Sequence, residues 1–296
     1  CNPFFSKQFF ILHIMKMKIA ALILLISITG NANAQRSNDN LEYVQKGEFG
    51  ITAGLAHYFG DLNTRASISR PKPALGAFFR KQFGNYVGLR LSAHYAQLGY
   101  SDNYSSNGYQ KTRNLSFNSN IWEVALQGDF NFFKFIPTNP DYAFTPYITL
   151  GIGLFTYDPY AYTNGKKEFL RPLGTEGQLI GYNGRKPYST LAMCIPLGVG
   201  FKYNLSEKFN FSFELAHRFT STDYLDDVST TYVGVNKFLP LSTAALLQDR
   251  SIEIDKDNPL GVEGRQRGWS KQRDQYIIAE IGVTYNISTY RCPTAK

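Results

Sequence analysis

The chain has 296 residues, a formal net charge of +8 and 15% aromatic residues, with a mean hydropathy of −0.26. This positive charge is mild and spread along the chain, which argues against a nucleic-acid-binding protein. Beyond the N-terminal segment, no apolar run approaches the roughly 20 residues of a membrane-spanning helix, which excludes a helical membrane protein.

The N-terminal segment has the three parts of a secretory signal. The lysines of Met15–Lys18 precede an apolar run from Ile19 to Ile28, and the small residues of Ala32-Asn-Ala34 follow it. A basic start, a short apolar run and an A-x-A site are typical of a cleaved signal peptide. We predict cleavage before Gln35, so residues 1–34 are an upstream segment and signal peptide. An N-terminal anchor helix is the alternative.

Eight segments of alternating hydrophobicity follow the signal, and the gaps between them are alternately short and long. A strand that crosses an outer membrane needs about 9–11 residues, with one face on lipid and the other on the lumen. The pattern therefore predicts an all-β fold, an eight-stranded antiparallel transmembrane β-barrel with short periplasmic turns and long extracellular loops. The predicted strands are residues 49–58, 74–82, 86–97, 119–132, 144–156, 190–204, 208–219 and 275–287.

The predicted barrel spans residues 49–287 and places the protein in the outer membrane, in contact with its lipid. Residues 35–48 are interpreted as a periplasmic linker before the barrel, and residues 288–296 as a periplasmic tail after it. An even number of strands puts both termini on the periplasmic side. A soluble β-sandwich is the alternative fold.

Charged residues on the predicted inner face nearly cancel. The cations are Arg80, Arg90, Lys202 and Arg218, and the carboxylates are Glu123, Asp129, Glu214 and Glu280. The interior of an eight-stranded barrel is just wide enough for its own side chains, and buried charges are tolerated there when they are paired. We therefore predict a packed, ion-paired lumen with no open pore. A proton or ion path through these charges is the alternative.

Three histidines follow the signal, and strand phase turns His57 and His217 outward near the long loops and His94 inward. His57 with Asp61, or His217 with Asp223, could provide the acid–base pair of a barrel enzyme. The favoured interpretation is a polar side chain at the membrane interface, with no catalytic residue. No HExxH, P-loop or cysteine-rich zinc pattern occurs, and we expect no cofactor, no metal and no small-molecule substrate.

An acidic segment opens the longest predicted loop. It consists of Asp223, Tyr224, Leu225, Asp226 and Asp227. Three carboxylates so close together could bind Ca²⁺, but they lack the Asp-x-Asp spacing and the glycine of an EF-hand. A loop-shaping acidic turn is the favoured interpretation. Further along the loop, Leu239–Leu247 is predicted to form a short amphipathic helix on the barrel rim, with a mobile loop as the alternative.

Two cysteines follow the signal peptide. Cys194 lies in the middle of a predicted strand with inward phase, whereas Cys292 follows the last predicted strand. Strand geometry places Cys194 roughly 20–25 Å above the periplasmic rim, and a disulfide needs Cα atoms within about 7 Å, so the two should not pair. An odd cysteine in an oxidising compartment indicates either a disulfide to another protein or a free thiol. The hypothesis is that Cys292 forms an intermolecular disulfide with a periplasmic partner, and a free thiol is the alternative.

Three motifs resemble the PorG-type outer-membrane barrels of the type IX secretion system of Bacteroidota. They are Gly54-Leu-Ala-His-Tyr-Phe-Gly-Asp-Leu-Asn63, Arg218-Phe-Thr-Ser-Thr-Asp-Tyr-Leu-Asp-Asp-Val-Ser229 and Tyr290-Arg-Cys-Pro293. The second motif is the most specific, and the resemblance covers about residues 41–293.

The resemblance implies an accessory, non-catalytic component that docks a periplasmic ring, built from a lipoprotein and its partner, under the outer membrane. It implies that Cys292, with Tyr290, Arg291 and Pro293, is the docking position. Two other functions stay open: a small barrel enzyme acting on lipid or peptide at the outer rim, and a general structural or uptake barrel.

Overall fold

The computed structural model describes residues 42–291 of the chain, and the side chains of residues 46–288. The predicted signal peptide, Cys292 and Pro293 lie outside this part. The described strands are β1 Glu42–Phe59, β2 Lys72–Phe83, β3 Val87–Ser101, β4 Ser116–Asn131, β5 Phe144–Thr156, β6 Tyr160–Thr163, β7 Lys166–Phe169, β8 Leu191–Asn204, β9 Phe209–Thr220 and β10 Gln275–Arg291. The described α-helices are α1 Gly108–Arg113 and α2 Thr243–Gln248, each six residues long.

Eight of the strands close into one barrel. The hydrogen-bonded order runs β3-β2-β1-β10-β9-β8-β5-β4, and β3 also pairs with β4, which closes the circle. Neighbouring strands pair antiparallel at β1–β2, β2–β3, β3–β4, β4–β5, β5–β8, β8–β9 and β9–β10. The predicted closed eight-stranded antiparallel barrel is therefore confirmed. The remaining two strands, β6 and β7, form a hairpin in the loop between β5 and β8, and Tyr160 of β6 pairs with Asn118 of β4.

The first and last strands are longer than the sequence predicted. β1 begins at Glu42 and β10 ends at Arg291, so the barrel takes in part of the predicted linker 35–48 and tail 288–296. The linker interpretation was wrong from residue 42 onward, because Lys46-Gly47-Glu48 interrupts the alternation and resembles a polar linker. The side chain of Glu48 is in fact fully buried.

The connections at the two ends of the barrel differ in length. Residues 84–86, 132–143 and 205–208 join strands at one end, here called the turn end. Residues 60–71, 102–115, 157–190 and 221–274 join them at the other, here called the loop end. Because consecutive barrel strands alternate in direction and their number is even, β1 starts and β10 finishes at the turn end.

The outer wall of the barrel is apolar and exposed. On β4, for example, Trp122 is 64% exposed and Val124 is 55% exposed, while their neighbour Glu123 is buried. Exposed apolar side chains on the other strands include Phe49, Ile51, Leu55, Leu75, Phe79, Leu89, Leu91, Leu150, Ile152, Met193, Val199, Leu215, Ile281 and Val283. A continuous apolar surface of this kind needs lipid around it. The chain is thus a barrel of the outer-membrane type.

The seam between β1 and β10 depends on a glycine. A Cβ atom at Gly54 would overlap the carbonyl oxygen of Ala279 and lie 2.6 Å from the Cα of Glu280. Since backbone atoms of the neighbouring strand cannot move aside, only glycine allows the two strands to meet here.

None of the helices in the described part of the chain is long and apolar enough to cross a bilayer.

Candidate functional site

The lumen near the turn end holds a buried network of ion pairs. The guanidinium of Arg80 contacts Glu48 at 2.9 Å and also donates to Asp129. Arg90 donates to both carboxylate oxygens of Glu214, at 2.6 and 2.9 Å. All of these side chains are at most 4% exposed. A bidentate arginine–carboxylate contact fixes both the position and the orientation of the two side chains, so these groups hold the strands in register.

The same network continues through three further contacts. Lys202 Nζ lies 3.4 Å from Glu48 Oε1, and the Tyr147 hydroxyl donates to Glu214 Oε2 at 2.7 Å. Glu48 also accepts a hydrogen bond from Thr284 on β10 at 2.9 Å. Glu48 therefore joins the first strand, the last strand and β8 across the lumen.

A second cluster fills the lumen nearer the loop end. The ring of His94 lies 3.5 Å from Glu123 Oε1 and 3.4 Å from Glu280 Oε2. Arg218 Nε lies 3.4 Å from Glu123, and Thr52 donates to Glu280 at 2.9 Å. Four cations thus face five carboxylates in the two clusters, and the ring of His94 lies between two of these carboxylates, Glu123 and Glu280. The predicted lumen residues all lie inside the barrel, and the structure brings them together with Glu48.

The connections at the loop end, residues 60–71, 102–115, 157–190 and 221–274, fold together into a unit that we call the cap. The acidic segment 223–227 lies at its centre. Asp227 accepts hydrogen bonds from Thr175 at 2.5 Å and Tyr188 at 2.7 Å. Asp226 accepts from the Val228 amide, and Asp223 accepts from the Ser229 hydroxyl at 2.6 Å. The segment therefore shapes its own loop and binds it to the loop that carries residue 175. Among the described residues, no group of three or more His, Cys, Asp or Glu side chains is arranged to hold a metal ion.

One hydroxyl is shared by two carboxyl groups beneath this segment. Tyr58 Oη lies 2.6 Å from Asp226 Oδ2 and 2.8 Å from Asp274 Oδ1, and all three side chains are buried. A phenol has a single proton to donate, so one of the two carboxyls must itself be protonated and donate to the tyrosine oxygen. Burial, the largest cause, raises the pKa of both Asp226 and Asp274 well above the ordinary value, in agreement with this geometry.

Two buried arginines tie the loops of the cap to one another. Arg267 donates to Glu176 Oε1 at 3.1 Å and to the carbonyl oxygen of Asp227 at 2.6 Å. Arg113 of α1 donates twice to Asp102, at 2.7 Å each, and to the carbonyl oxygen of Arg267 at 2.5 Å. Because these contacts join three long loops, the cap is one packed unit.

One protein family matches more than half of the chain. The family DUF6089, described as a domain of unknown function, matches residues 36–235. The chain belongs to DUF6089. Among curated proteins no match was found.

Several solved barrels are similar to this DUF6089 chain. The N-terminal β-barrel domain of Pseudomonas aeruginosa OprF is 12% identical, with 82% of this chain and 100% of that chain covered and a TM-score of 0.35. Neisserial surface protein A is 10% identical, with 83% and 99% covered and a TM-score of 0.40. The outer membrane protein OprG of Pseudomonas aeruginosa is 13% identical, with 82% and 97% covered and a TM-score of 0.36.

The two outward-phase histidines of the DUF6089 barrel, His57 and His217, contact groups other than the carboxylates of Asp61 and Asp223. His57 has the outward phase that was predicted, but the loop after β1 covers it, and its Nε2 lies 2.7 Å from the Ser67 carbonyl oxygen. His217 Nε2 lies 2.7 Å from Gln275 Oε1. Asp61 instead accepts a hydrogen bond from the Trp269 amide at 2.9 Å. Within the described residues, neither histidine is paired with an acid as a rim enzyme would require.

The structure also places the other residues that the sequence singled out. Cys194 is buried in β8 at 1% exposure. Tyr290 and Arg291 are the last residues of β10 rather than part of a tail. The predicted helix on the rim is α2, capped by the Ser242 hydroxyl, and it begins later than expected, at Thr243.

Sequence reasoning missed several residues that organise the lumen and the cap of this DUF6089 barrel, among them Glu48, Glu176, Arg267 and Asp274. Glu48 could have been found by extending the first strand's alternation backward by one residue from Phe49. The other three lie in long loops, where no periodic signal marks a buried charge.

Because several carboxyls of the cap have raised pKa values, we expect the cap to loosen as pH rises. Burial, the largest cause for each, raises the pKa of Asp61 to about 6 and that of Asp223 to about 7. A carboxyl whose pKa is raised by folding contributes stability that is fully present below its unfolded-state pKa of about 4, and this stability is lost as pH rises through the folded-state values of about 6 and about 7. Hydrogen exchange of residues 221–274, corrected for its intrinsic pH dependence, measures this.

The pH effect should depend on the buried carboxyls alone. Asp226→Asn removes one of them and should flatten the pH profile, whereas Asp257→Asn should leave it unchanged because Asp257 is an exposed residue of the same loop. A profile that is equally steep in the wild type and in Asp226→Asn would contradict this account of the cap.

Proposed function

We propose that the protein is a non-catalytic outer-membrane component of the type IX secretion system that docks a periplasmic lipoprotein ring at the outer membrane. The segment 1–34 exports the chain, the loop end faces the cell exterior, and the turn end with both termini faces the periplasm. The observation that carries this proposal is the filled lumen beneath a packed cap. The resemblance of the three sequence motifs supplies the identity of the secretion system.

A filled lumen supports docking over transport for a physical reason. The buried ion pairs of Arg80, Arg90 and Arg218 cross the barrel interior, and separating them would leave buried charges without partners at a cost of several kcal/mol each. A solute or peptide could not pass without breaking them. The surfaces left to perform a function are the outer wall, the cap and the periplasmic end.

Transport can be tested directly in planar lipid bilayers. We expect no single-channel conductance from the purified, folded barrel, because ion pairs from several strands fill its interior. Reproducible conductance steps that disappear when the barrel is unfolded would contradict the docking proposal and favour an uptake barrel.

Cys292 is proposed as the docking position. It is the residue after Arg291, with which β10 ends, and the turn end of the barrel is the periplasmic end in this proposal. The other cysteine of the barrel, Cys194, is buried within β8 and cannot reach a second protein. An intermolecular disulfide of this chain would therefore form through Cys292, with Tyr290, Arg291 and Pro293 beside it.

A non-reducing pull-down from whole cell envelopes tests the docking position. We expect the wild type to retain a periplasmic lipoprotein in a reducible adduct that Cys292→Ala abolishes. Cys194→Ala is the matched control, since it removes a buried thiol and should retain the adduct. The proposed role of Cys292 is wrong if neither the wild type nor either variant retains an envelope protein. It is also wrong if all three retain the same envelope protein equally and without a reducible bond.

A further inference from the structure

Two aromatic rings mark the edge of the lipid-facing wall that lies toward the loop end on β3 and β4. Tyr95 and Trp122 stand opposite each other in the strand register, with ring centroids 4.8 Å apart. Toward the turn end, the next outward residues of β4 are Val124 and Leu126, both exposed and apolar. Aromatic residues of this kind lie at the boundary between hydrocarbon and headgroups. This pair therefore fixes the level of the membrane surface on this side of the barrel.

Toward the loop end, the same outward face becomes polar. The Tyr95 hydroxyl donates to Asn120 Oδ1 at 3.3 Å, and Gln97 Nε2 donates to the Tyr95 hydroxyl oxygen at 3.1 Å. Asn118 follows on the same face, four residues from Trp122. With a strand tilt of about 40°, four residues rise about 10 Å, which brings Asn118 to the level of lipid headgroups.

Two cations meet at this level on a single neutral acceptor. Lys72 Nζ lies 2.9 Å from Asn118 Oδ1, and Arg70 Nη2 lies 3.3 Å from the same oxygen. In the part of the chain that the structure describes, neither cation has a carboxylate as an ion-pair partner, and the charged neighbour of Lys72 is Arg70 itself. Like charges this close repel each other, so a bound anion would stabilise the pair.

The local sequence holds the two cations in place. Both occur in Arg70-Pro-Lys-Pro73, where the prolines restrict the backbone at the start of β2. Both side chains are partly exposed. A guanidinium and an ammonium group side by side match the oxygens of a phosphate group.

We propose that Arg70 and Lys72, which the Asn118 side chain holds together, bind the phosphate of a phosphorylated glycolipid of the outer leaflet. A lipid rather than a soluble anion fits the site, because the exposed ring of Trp122 and the apolar wall below it lie on the same face and can contact the acyl chains. The inference rests on the loop end facing the cell exterior, and it is independent of any docking at the turn end.

Native mass spectrometry of the detergent-purified full chain, titrated with bis-phosphorylated lipid A, tests the site. We expect the double variant Arg70→Gln with Lys72→Gln to bind lipid A at least about tenfold more weakly than the wild type. Lys81→Ala is the matched control, because Lys81 is an exposed cation on the same strand near the turn end and its removal should leave binding unchanged. Unchanged gel mobility of the unboiled double variant shows that it is folded.

Three outcomes would overturn the proposal. The first is equal affinity of the wild type and the double variant for lipid A. The second is equal affinity of the wild type for lipid A and for its dephosphorylated form. The third is equally tight binding of soluble glucosamine phosphate, which would make the site a receptor for a free phosphate ester rather than for a lipid.

Discussion

Replacing Arg90 with alanine is expected to lower the free energy of unfolding by about 3–5 kcal/mol, the range typical of breaking a buried ion pair. The guanidinium contacts both carboxylate oxygens of Glu214 and lies 3.6 Å from Asp129. Without it, two carboxylates stay buried in the lumen, and among the described residues the hydrogen-bond donor that Glu214 keeps is the Tyr147 hydroxyl. Desolvated charge without a counter-charge is what makes this loss large.

Urea titration of the barrel folded into phospholipid vesicles measures the effect, with the mobility of the unboiled protein on gels as the probe. Arg250→Ala is the matched control. Arg250 pairs with Glu253 at 2.9 Å at the surface, where the carboxylate is 46% exposed, and such pairs contribute at most about 1 kcal/mol. Equal losses in the two variants would show that the lumen pairs do not stabilise the barrel as described.

A second variant separates the pairing of charges from the simple loss of a side chain. Arg90→Met combined with Glu214→Leu removes both charges and keeps similar volume, so it should be clearly more stable than Arg90→Ala. Asp129 retains its contact with Arg80 in this variant. If the double variant is the less stable one, polar contacts other than the ion pair dominate at this position.

The barrel could be predicted from the sequence because its signal is local. A strand that separates lipid from lumen must alternate at every second residue, and this alternation gives both the strand and the direction of each side chain. Glu123 and Arg218 were placed inside the barrel by phase alone, and their side chains meet there at 3.4 Å. The interruption at Lys46-Gly47-Glu48 was enough to hide the start of β1.

The cap could not be predicted in the same way, because its contacts join residues far apart in sequence. Glu176 and Arg267 are separated by 91 positions and lie in different loops. Nothing periodic marks either residue as buried, and a charged residue in a long loop is ordinarily solvated. His57 shows the same limit, since its outward phase was predicted but its burial by the following loop depends on tertiary packing.

Arg267→Ala is expected to open the cap while leaving the barrel folded. Arg267 is 2% exposed, and its guanidinium holds Glu176 and the carbonyl oxygen of Asp227 from two different loops. Its loss leaves the buried Glu176 side chain, within the described residues, with neutral hydrogen-bond donors such as the Ser229 amide and the Thr230 hydroxyl. An opening free energy reduced by about 3 kcal/mol would raise cleavage of residues 221–274 about a hundredfold.

Limited proteolysis with chymotrypsin measures this opening, because chymotrypsin does not cleave after arginine and the substitution does not remove a cleavage site. Arg265→Ala is the matched control, since Arg265 is exposed and two positions away. Gel mobility of the unboiled protein should stay that of a closed barrel, because the lumen ion pairs do not involve Arg267. Cleavage of Arg267→Ala as slow as that of Arg265→Ala would mean that the Tyr58, Asp226 and Asp274 cluster closes the cap without help from the arginine.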